Sequence, residues 1–417
     1  MGHSSIQAAR IAETLVVKPL KERIEDLALF GGTPAFPQKV HVGRPNIGDR
    51  SRLMARIGDL LDRRWLSNQG PYVQELETRL AEMLGVRNCI AVANGTLALE
   101  IAIRAAGLAD EVIVPSFTFI ATAHALEWQK IKPVFCDIDP HTHSLDPRQV
   151  ERCITPRTAG IIGVHIWGEP CATVELSEIA QRHGLKLLFD ASHAFGCGHR
   201  GKMIGGFGEA EVFSFHATKF FNTFEGGAIA TNNDELAGRI RLMKNFGFVG
   251  YDDVAYIGTN GKMSEIAAAM GLTGLESLDE FVAVNRRNYD LYRQGLCGLP
   301  GVRLFPVAED ERRNFQYIVL EVDQEQAVIS RDLLVRLLHA ENILARRYFY
   351  PGCHRMEPYR SQAHHGGLEL PATDHVCARV IVLPTGTSVS AGDIESICGV
   401  MRLALTHAPE IVRRVPA

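Results

Sequence analysis

Lys219 stands in the stretch EVFSFHATKFF, among four phenylalanines, Phe213, Phe215, Phe220 and Phe221. A solvent-facing lysine has no reason to be ringed by aromatic carbon. An amine held against apolar surface loses the hydration that favours its charged form. Its pKa falls, and the neutral nucleophile becomes available for Schiff-base chemistry. A lysine can also lay only its stem on apolar surface and send its ammonium to water, and for a lysine taken alone that is the commoner fate. Ser214 and His216 offer polar contacts beside it, and Glu225-Gly226-Gly227 make a tight reversal after it.

Three other features share the same kind of position, just past an apolar run. In LKLLFDASHAFG, Asp190 ends a buried strand, where an ionised carboxylate needs a partner. A protonated pyridine nitrogen would be one; capping the next helix is the alternative. In VANGTLALEIAI, a strand turns through Asn94-Gly95-Thr96 into a helix. The amides of Gly95 and Thr96 sit at its positive end, a ready phosphate site, or simply a cap. In VIVPSFTFIATAHAL, Phe117 and Phe119 follow a strand end, and either could stack on a flat ring or pack within the loop.

The elements that must position these residues are legible as alternating patterns. Short apolar runs at Cys89–Val92, Val112–Val114, Pro133–Phe135, Ile161–His165, Leu185–Phe189, Glu211–Phe215 and Ala228–Ala230 read as strands. Helical spacing at Val73–Leu84, Leu97–Ala106 and Thr173–His183 alternates with them. Strand, helix, strand in series predicts an α/β fold, a mainly parallel sheet with helices on both faces, with ligands beyond the carboxyl ends of its strands. The expected organisation is an arm over residues 1–45, a large domain over 46–280 and a smaller α+β domain over 281–417, with strands Tyr317–Val322 and Val380–Leu383.

Composition narrows the class. The chain has 417 residues, 46% hydrophobic and 22% charged, with a net charge of -4. Lys and Arg form no basic block, so nucleic acid is not an expected partner. No apolar run is long enough to span a membrane and no secretory segment opens the chain. Nine cysteines, an odd number, form no CxxC pair. They predict reduced core thiols in a cytoplasmic protein, without a metal site.

In their order along the chain, the glycine turn, aromatic loop, strand-end Asp and later lysine have the layout of fold-type-I pyridoxal-phosphate enzymes. More narrowly, FGGTPAFP, NGT, VPSFTFIATAHA, PVFCDIDP, DASHAFG, FSFHATK, EGGAIAT and GTNGKMSEIAAAMG resemble, in this order, the DegT/DnrJ/EryC1/StrS sugar aminotransferases. The resemblance implies roles. Lys219 would hold pyridoxal phosphate and move a proton as general acid and base. Asp190 would pair with the pyridine nitrogen, and Phe119 would lie over the ring. Gly95, Thr96 and Ser214 would bind the phosphate, and His193 would contact the phenolic oxygen. Asn260 would reach the phosphate from a neighbouring subunit, which implies a homodimer with shared active sites. Lys262, Arg346, Arg347 and Tyr348 would approach the substrate. Two adjacent arginines suit a diphosphate, and a solvated helix end is the alternative. His354 is expected to be loop structure.

The implied reaction is amino transfer from L-glutamate to a nucleotide-linked keto-deoxy sugar. FHATKFFNTFEGG and LPTGTSVS look closest to members acting at C4 of dTDP-4-keto-6-deoxyglucose. Enzymes acting at C3, on scyllo-inosose-type cyclitols, or as sugar dehydratases share the core. Some dehydratases replace the lysine with histidine; here Lys219 is present. A non-catalytic regulator is disfavoured by the intact Lys219, Asp190 and NGT set.

Overall fold

The computed structural model describes residues 21–362 and 367–415. Seven strands form the central sheet: β1 (Asn88–Val92), β2 (Glu111–Pro115), β3 (Lys132–Cys136), β4 (Thr158–Val164), β5 (Lys186–Asp190), β6 (Ala210–Ser214) and β7 (Gly227–Thr231). Their spatial order is β1-β7-β6-β5-β4-β2-β3. β2 to β6 run parallel, while β7 is antiparallel to both neighbours, β1 and β6. Each apolar run singled out in the sequence became one of these strands. The exception to parallel pairing has a simple cause. β6 and β7 are joined by residues 215–226, with no crossover helix, and an antiparallel return needs none.

Strand alternation sends successive side chains to opposite faces. Ile90 and Val92 of β1 enter a core packed by Ala98, Leu99 and Ala102, while Cys89 and Ala91 enter one packed by Val73, Leu76 and Leu80. The first set lies on helix α3 (Gly95–Ala105) and the second on α2 (Pro71–Leu84), which follows α1 (Arg50–Arg63). Leu176 and Ile179 of α4 (Thr173–His183) cover Leu187 and Phe189 of β5. Burying each such aliphatic or aromatic side chain stabilises the fold by about 1.5–3 kcal/mol relative to exposure.

The C-terminal unit holds a second antiparallel sheet, β8 (Val302–Leu304), β9 (Ile318–Val322) and β10 (Val380–Leu383). β8 has three residues, too few to show a period in the sequence. Helix α5 (Leu278–Gly295) runs unbroken through position 280 and links the two sheets, and α6 (Ala391–Thr406) closes the unit. Residues 1–20 of the expected arm lie outside the described residues. From Lys21 onward the arm is built into the C-terminal unit. Ile24, Leu27 and Phe36 share a core with Tyr292, Leu320 and Leu334. The buried Glu341 carboxylate accepts from the amides of Ala28 and Ala35, each at 2.7 Å, and pairs with Lys21 at 2.7 Å. Among the described residues no helix is long and apolar enough to cross a membrane.

Buried amides tie these parts to the β6–β7 connection. Asn46, 2% exposed, donates from Nδ2 to Phe220 O at 2.8 Å and accepts at its own carbonyl from Asn222 Nδ2 at 2.9 Å. Its Oδ1 accepts from Thr387 Oγ1 at 2.7 Å. This residue, just past the arm, joins the lysine loop to the C-terminal unit. Asn46→Ala leaves the buried Phe220 carbonyl unpaired, worth about 1–3 kcal/mol, and removes the acceptor of Thr387. We expect a lower urea unfolding midpoint; a midpoint equal to that of the wild type would show that the staple contributes nothing.

Candidate active site

The carboxyl ends of β1, β2, β5 and β6 open into one cavity of about 540 Å³. At one end lies the start of α3. Asn94 Oδ1 accepts from Leu97 N at 2.8 Å and caps the helix, which leaves the amides of Gly95 and Thr96 without intrahelical partners. A Cβ at position 95 would lie 2.8 Å from Ser214 Cβ, so glycine is what lets the end of β6 close on this turn. First-turn amides beside a serine hydroxyl make an anion cradle.

Asp190, 6% exposed, ends β5. Its Oδ2 accepts from Thr122 Oγ1 at 2.9 Å and its Oδ1 from Ser192 N at 3.1 Å. Two bonds leave part of a carboxylate's acceptor capacity open to the cavity. His193 is buried, and loss of hydration together with the nearby Lys219 charge pushes its pKa well below the ordinary value. Its Nδ1 accepts from Trp167 N at 3.3 Å, which places the proton of the neutral ring on Nε2 as a free donor. Trp167 holds this geometry from a left-handed backbone (φ 60), a strained conformation for a large residue.

Lys219 enters from the β6–β7 connection. Phe215, Phe220 and Phe221 are each under 5% exposed and anchor the loop in the core, while Lys219, with His216 and Thr218, lines the cavity. Burial pushes the Lys219 pKa down to about 8, against the opposing pull of the Asp190 charge. Nζ lies 3.2 Å from Tyr317 Oη. Tyr317 precedes β9, so the C-terminal unit supplies the group that holds the amine. Asn314 secures this junction, donating to His193 O at 2.8 Å and Phe195 O at 3.0 Å.

The two phenylalanines of the aromatic loop divide. Phe117 is fully buried against Trp167 and Phe349, while Phe119 is 57% exposed and lines the cavity. His354 lies in a short 3-10 turn, Cys353–Arg355. Its Nδ1 lies 2.7 Å from Ser116 Oγ and its Nε2 3.4 Å from Asp374, tying the aromatic loop to the segment that carries Tyr348.

A mainly parallel sheet with a lysine, a carboxylate and a helix N-terminus converging at its strand ends defines a fold-type-I aminotransferase. Residues 48–402 match the DegT/DnrJ/EryC1/StrS aminotransferase family, and the chain belongs to that family. It is similar to the structure described as DesI in the presence of its TDP-sugar product, with TM-score 0.90, 49% identity, and coverage of 94% of this chain and 99% of that one. It is 38% identical over 364 residues to a dTDP-4-amino-4,6-dideoxy-D-glucose transaminase of Shigella dysenteriae, covering 87% of this chain and 98% of that protein. A GDP-perosamine synthase of Caulobacter vibrioides is 35% identical, over 86% of this chain and 96% of its own length.

Of the residues the sequence singled out, Gly95, Thr96, Phe119, Asp190, His193, Ser214, Lys219 and Tyr348 line the one cavity. Arg346 and Arg347 together line a cavity of about 280 Å³ with Phe119 and Tyr348. Arg346 also lines a second one of about 270 Å³, while Arg347 pairs with Asp332 at 2.9 Å. Asn260 and Lys262 do not line the cavity of their own protomer. Asn260 is exposed, and Lys262 Nζ lies 4.6 Å from the centroid of the Phe246 ring. Sequence reasoning passed over Tyr317 and Thr122. An aromatic hydroxyl opening an apolar strand was a usable signal for the first, since a buried tyrosine hydroxyl seeks a partner. Thr122 carried none.

The depressed lysine pKa has a direct readout. A small amine-reactive reagent should label Lys219 at a rate rising about tenfold per pH unit and levelling near pH 8. Peptide mapping that instead shows a plateau only near 10.5 would describe a solvated lysine.

Proposed function

We propose that the chain is a cytoplasmic, pyridoxal-phosphate-dependent aminotransferase that moves an amino group from L-glutamate to C4 of a nucleotide-linked 4-keto-6-deoxyhexose, of the dTDP-4-keto-6-deoxyglucose type. The observation that carries the reading is the convergence of Lys219, Asp190 and the first-turn amides of α3 in one cavity, in a chain of this family. The dTDP-4-amino-4,6-dideoxy-D-glucose transaminase named above supports the position on the sugar.

The residues present fit the cofactor. The Gly95–Ser214 contact leaves the anion cradle open for its phosphate, and Asp190 has acceptor capacity for a protonated pyridine nitrogen. His193 Nε2 has a proton for the phenolic oxygen, and Phe119 supplies an aromatic face. The bound cofactor supplies an electron sink for the carbanion formed when the donor loses its α proton. Lys219 covers two tasks. Its nitrogen would anchor the cofactor, and once free and neutral it would take the proton from the donor's α carbon and deliver it to the cofactor carbon on the other side of the transferred nitrogen. A pKa near 8 suits both directions at neutral pH. Tyr317 Oη, 3.2 Å from the lysine nitrogen, would hold the released amine close to the reacting carbon.

Purified holoenzyme should show a visible absorption band that is lost on adding L-glutamate. Incubation with the nucleotide 4-keto-6-deoxyhexose should then yield the 4-amino sugar. Lys219→Ala should abolish both; retained turnover in that variant would sink the role assigned to Lys219, and amination only of a keto-inositol would overturn the substrate.

We also infer a homodimer with shared sites. The segment holding Phe246, Phe248, Tyr251 and Ile257 exposes large apolar side chains, and Trp65 and Leu66 do so after α1. Surfaces of this kind mark interfaces. Asn260, turned away from its own cavity, lies in the same segment. Light scattering should give twice the chain mass, and Ile257→Asp with Phe248→Asp should yield monomers that no longer retain cofactor. A wild-type monomer with full cofactor binding would overturn this assembly.

A further inference from the structure

His143 does not line the main cavity, yet it is fully buried and holds a left-handed backbone (φ 59). Its ring packs between Phe117, with centroids 5.6 Å apart, and Phe305, 4.6 Å away. An imidazole enclosed by aromatic carbon needs polar partners. Its Nδ1 accepts from Trp167 Nε1 at 3.1 Å. An indole nitrogen only donates, so Nδ1 carries no proton and the proton of the ring lies on Nε2. Nε2 lies 3.2 Å from Glu321 Oε1, off the straight line of a hydrogen bond but close to the charge of the carboxylate. The same oxygen pairs with Arg303 at 2.5 Å, across the β8–β9 ladder. Burial would raise the Glu321 carboxyl; His143 and Arg303 outweigh it and hold its pKa below the ordinary value. A charged Glu321 favours the ring form with its proton on Nε2, the form that leaves Nδ1 open to the indole.

Trp167 is where this chain of contacts reaches the site. Its buried ring stacks on Phe349, with centroids 5.5 Å apart, and meets Tyr317, the partner of Lys219, edge-on at 5.6 Å. Its backbone is left-handed too, a conformation that persists only where the surroundings fix it. The backbone N–H held in that conformation is the one donated to His193 Nδ1. The indole N–H is the polar anchor of the same residue. Without His143 it would be buried and unpaired, and the backbone would lose what holds it in place.

Two left-handed residues thus meet as donor and acceptor behind His193. We propose that His143 and Glu321 are positioning residues of the active site. They hold the Trp167 indole, and through it the backbone N–H that fixes the His193 tautomer and keeps the Nε2 proton of His193 available to the phenolic oxygen of the cofactor. The last link, from His193 to the cofactor, rests on the reading given above; the links before it do not.

The test uses holoenzyme and two readouts. The first is the pH at which its visible band converts. An N–H donated to the phenolic oxygen draws off the charge of that oxygen, so the nitrogen joining the cofactor to Lys219 gives up its proton at lower pH. His143→Phe keeps a ring between Phe117 and Phe305 and removes the acceptor, and Trp167→Phe keeps an aromatic ring and removes the donor. Each should raise the midpoint by about one pH unit, and the double variant no further than either alone. His143→Asn, which tolerates a left-handed backbone and offers a carbonyl in place of Nδ1, should restore it. The second readout needs no cofactor. The indole N–H signal missing from Trp167→Phe should exchange slowly with deuterium in the wild type and about tenfold faster in His143→Phe. Glu321→Gln, which keeps the shape and removes the charge, should give part of both effects. Trp167→Phe and Glu321→Gln carry the test alone should His143→Phe fail to fold. An unchanged midpoint in the single variants, or shifts that add in the double one, overturns the positioning role. Glu321→Gln equal to the wild type in both readouts removes Glu321 from it. A wild type without a visible band overturns the cofactor reading instead, and the exchange rate still decides the contact between His143 and Trp167.

Discussion

An amine must be dry enough to shed its proton near neutrality and still be reachable by a ligand, and this opposition governs the architecture around Lys219. The fold resolves it by anchoring the lysine loop through buried phenylalanines and leaving the lysine at the cavity wall. Phe215, Phe220 and Phe221 fill the core behind it. Asn46 and Gln316 hold the backbone at Phe220 from two other parts of the chain. What reaches the cavity is a short tether with a lowered pKa, facing Asp190 across the ends of adjacent strands β5 and β6. Desolvation pushes the amine toward its neutral form, the carboxylate pulls the other way, and burial prevails.

The walls of the cavity come from distant segments locked together by small polar bridges. Ser116 and His354 join the aromatic loop to the chain around Tyr348 and Phe349. Asn314 joins the C-terminal unit to the backbone of His193 and Phe195. Trp167 sits in a left-handed conformation and directs its N–H at His193, which settles the tautomer of that ring. These bridges carry no reactivity. They fix the spacing between a helix N-terminus, a carboxylate, a ring donor and an amine, and that spacing is what a flat phosphorylated ring would need.

How far the sequence revealed this depends on whether a residue's role is local. Asp190 and Lys219 were legible because each follows an apolar strand, and a charged group at such a place demands a reason. Gly95-Thr96 was legible because a strand turning into a helix leaves free amides whatever the rest of the chain does. The antiparallel sense of β7 was not, since apolar runs carry no direction. Tyr317 and Thr122 act across long sequence separations: Thr122 carried no local signal, and the strand-opening hydroxyl of Tyr317 asked for a partner without naming Lys219. Arg346 and Arg347 line one cavity with Phe119 and Tyr348, and what their adjacency did not disclose is the ion pair of Arg347 with Asp332.

The connection that carries Lys219 is also the turn that sets the register of β7. Gly227 pairs with Ser214 on one side and Val92 on the other, with Ile229 directed into one core and Ala228 and Ala230 into the opposite one. A slip of β7 by one residue would turn Ile229 into the space built for alanine, since it exchanges the faces of a strand. The two ladders therefore hold the far end of the lysine loop in place, and the loop is pinned to the sheet at both ends whatever its side chains bind.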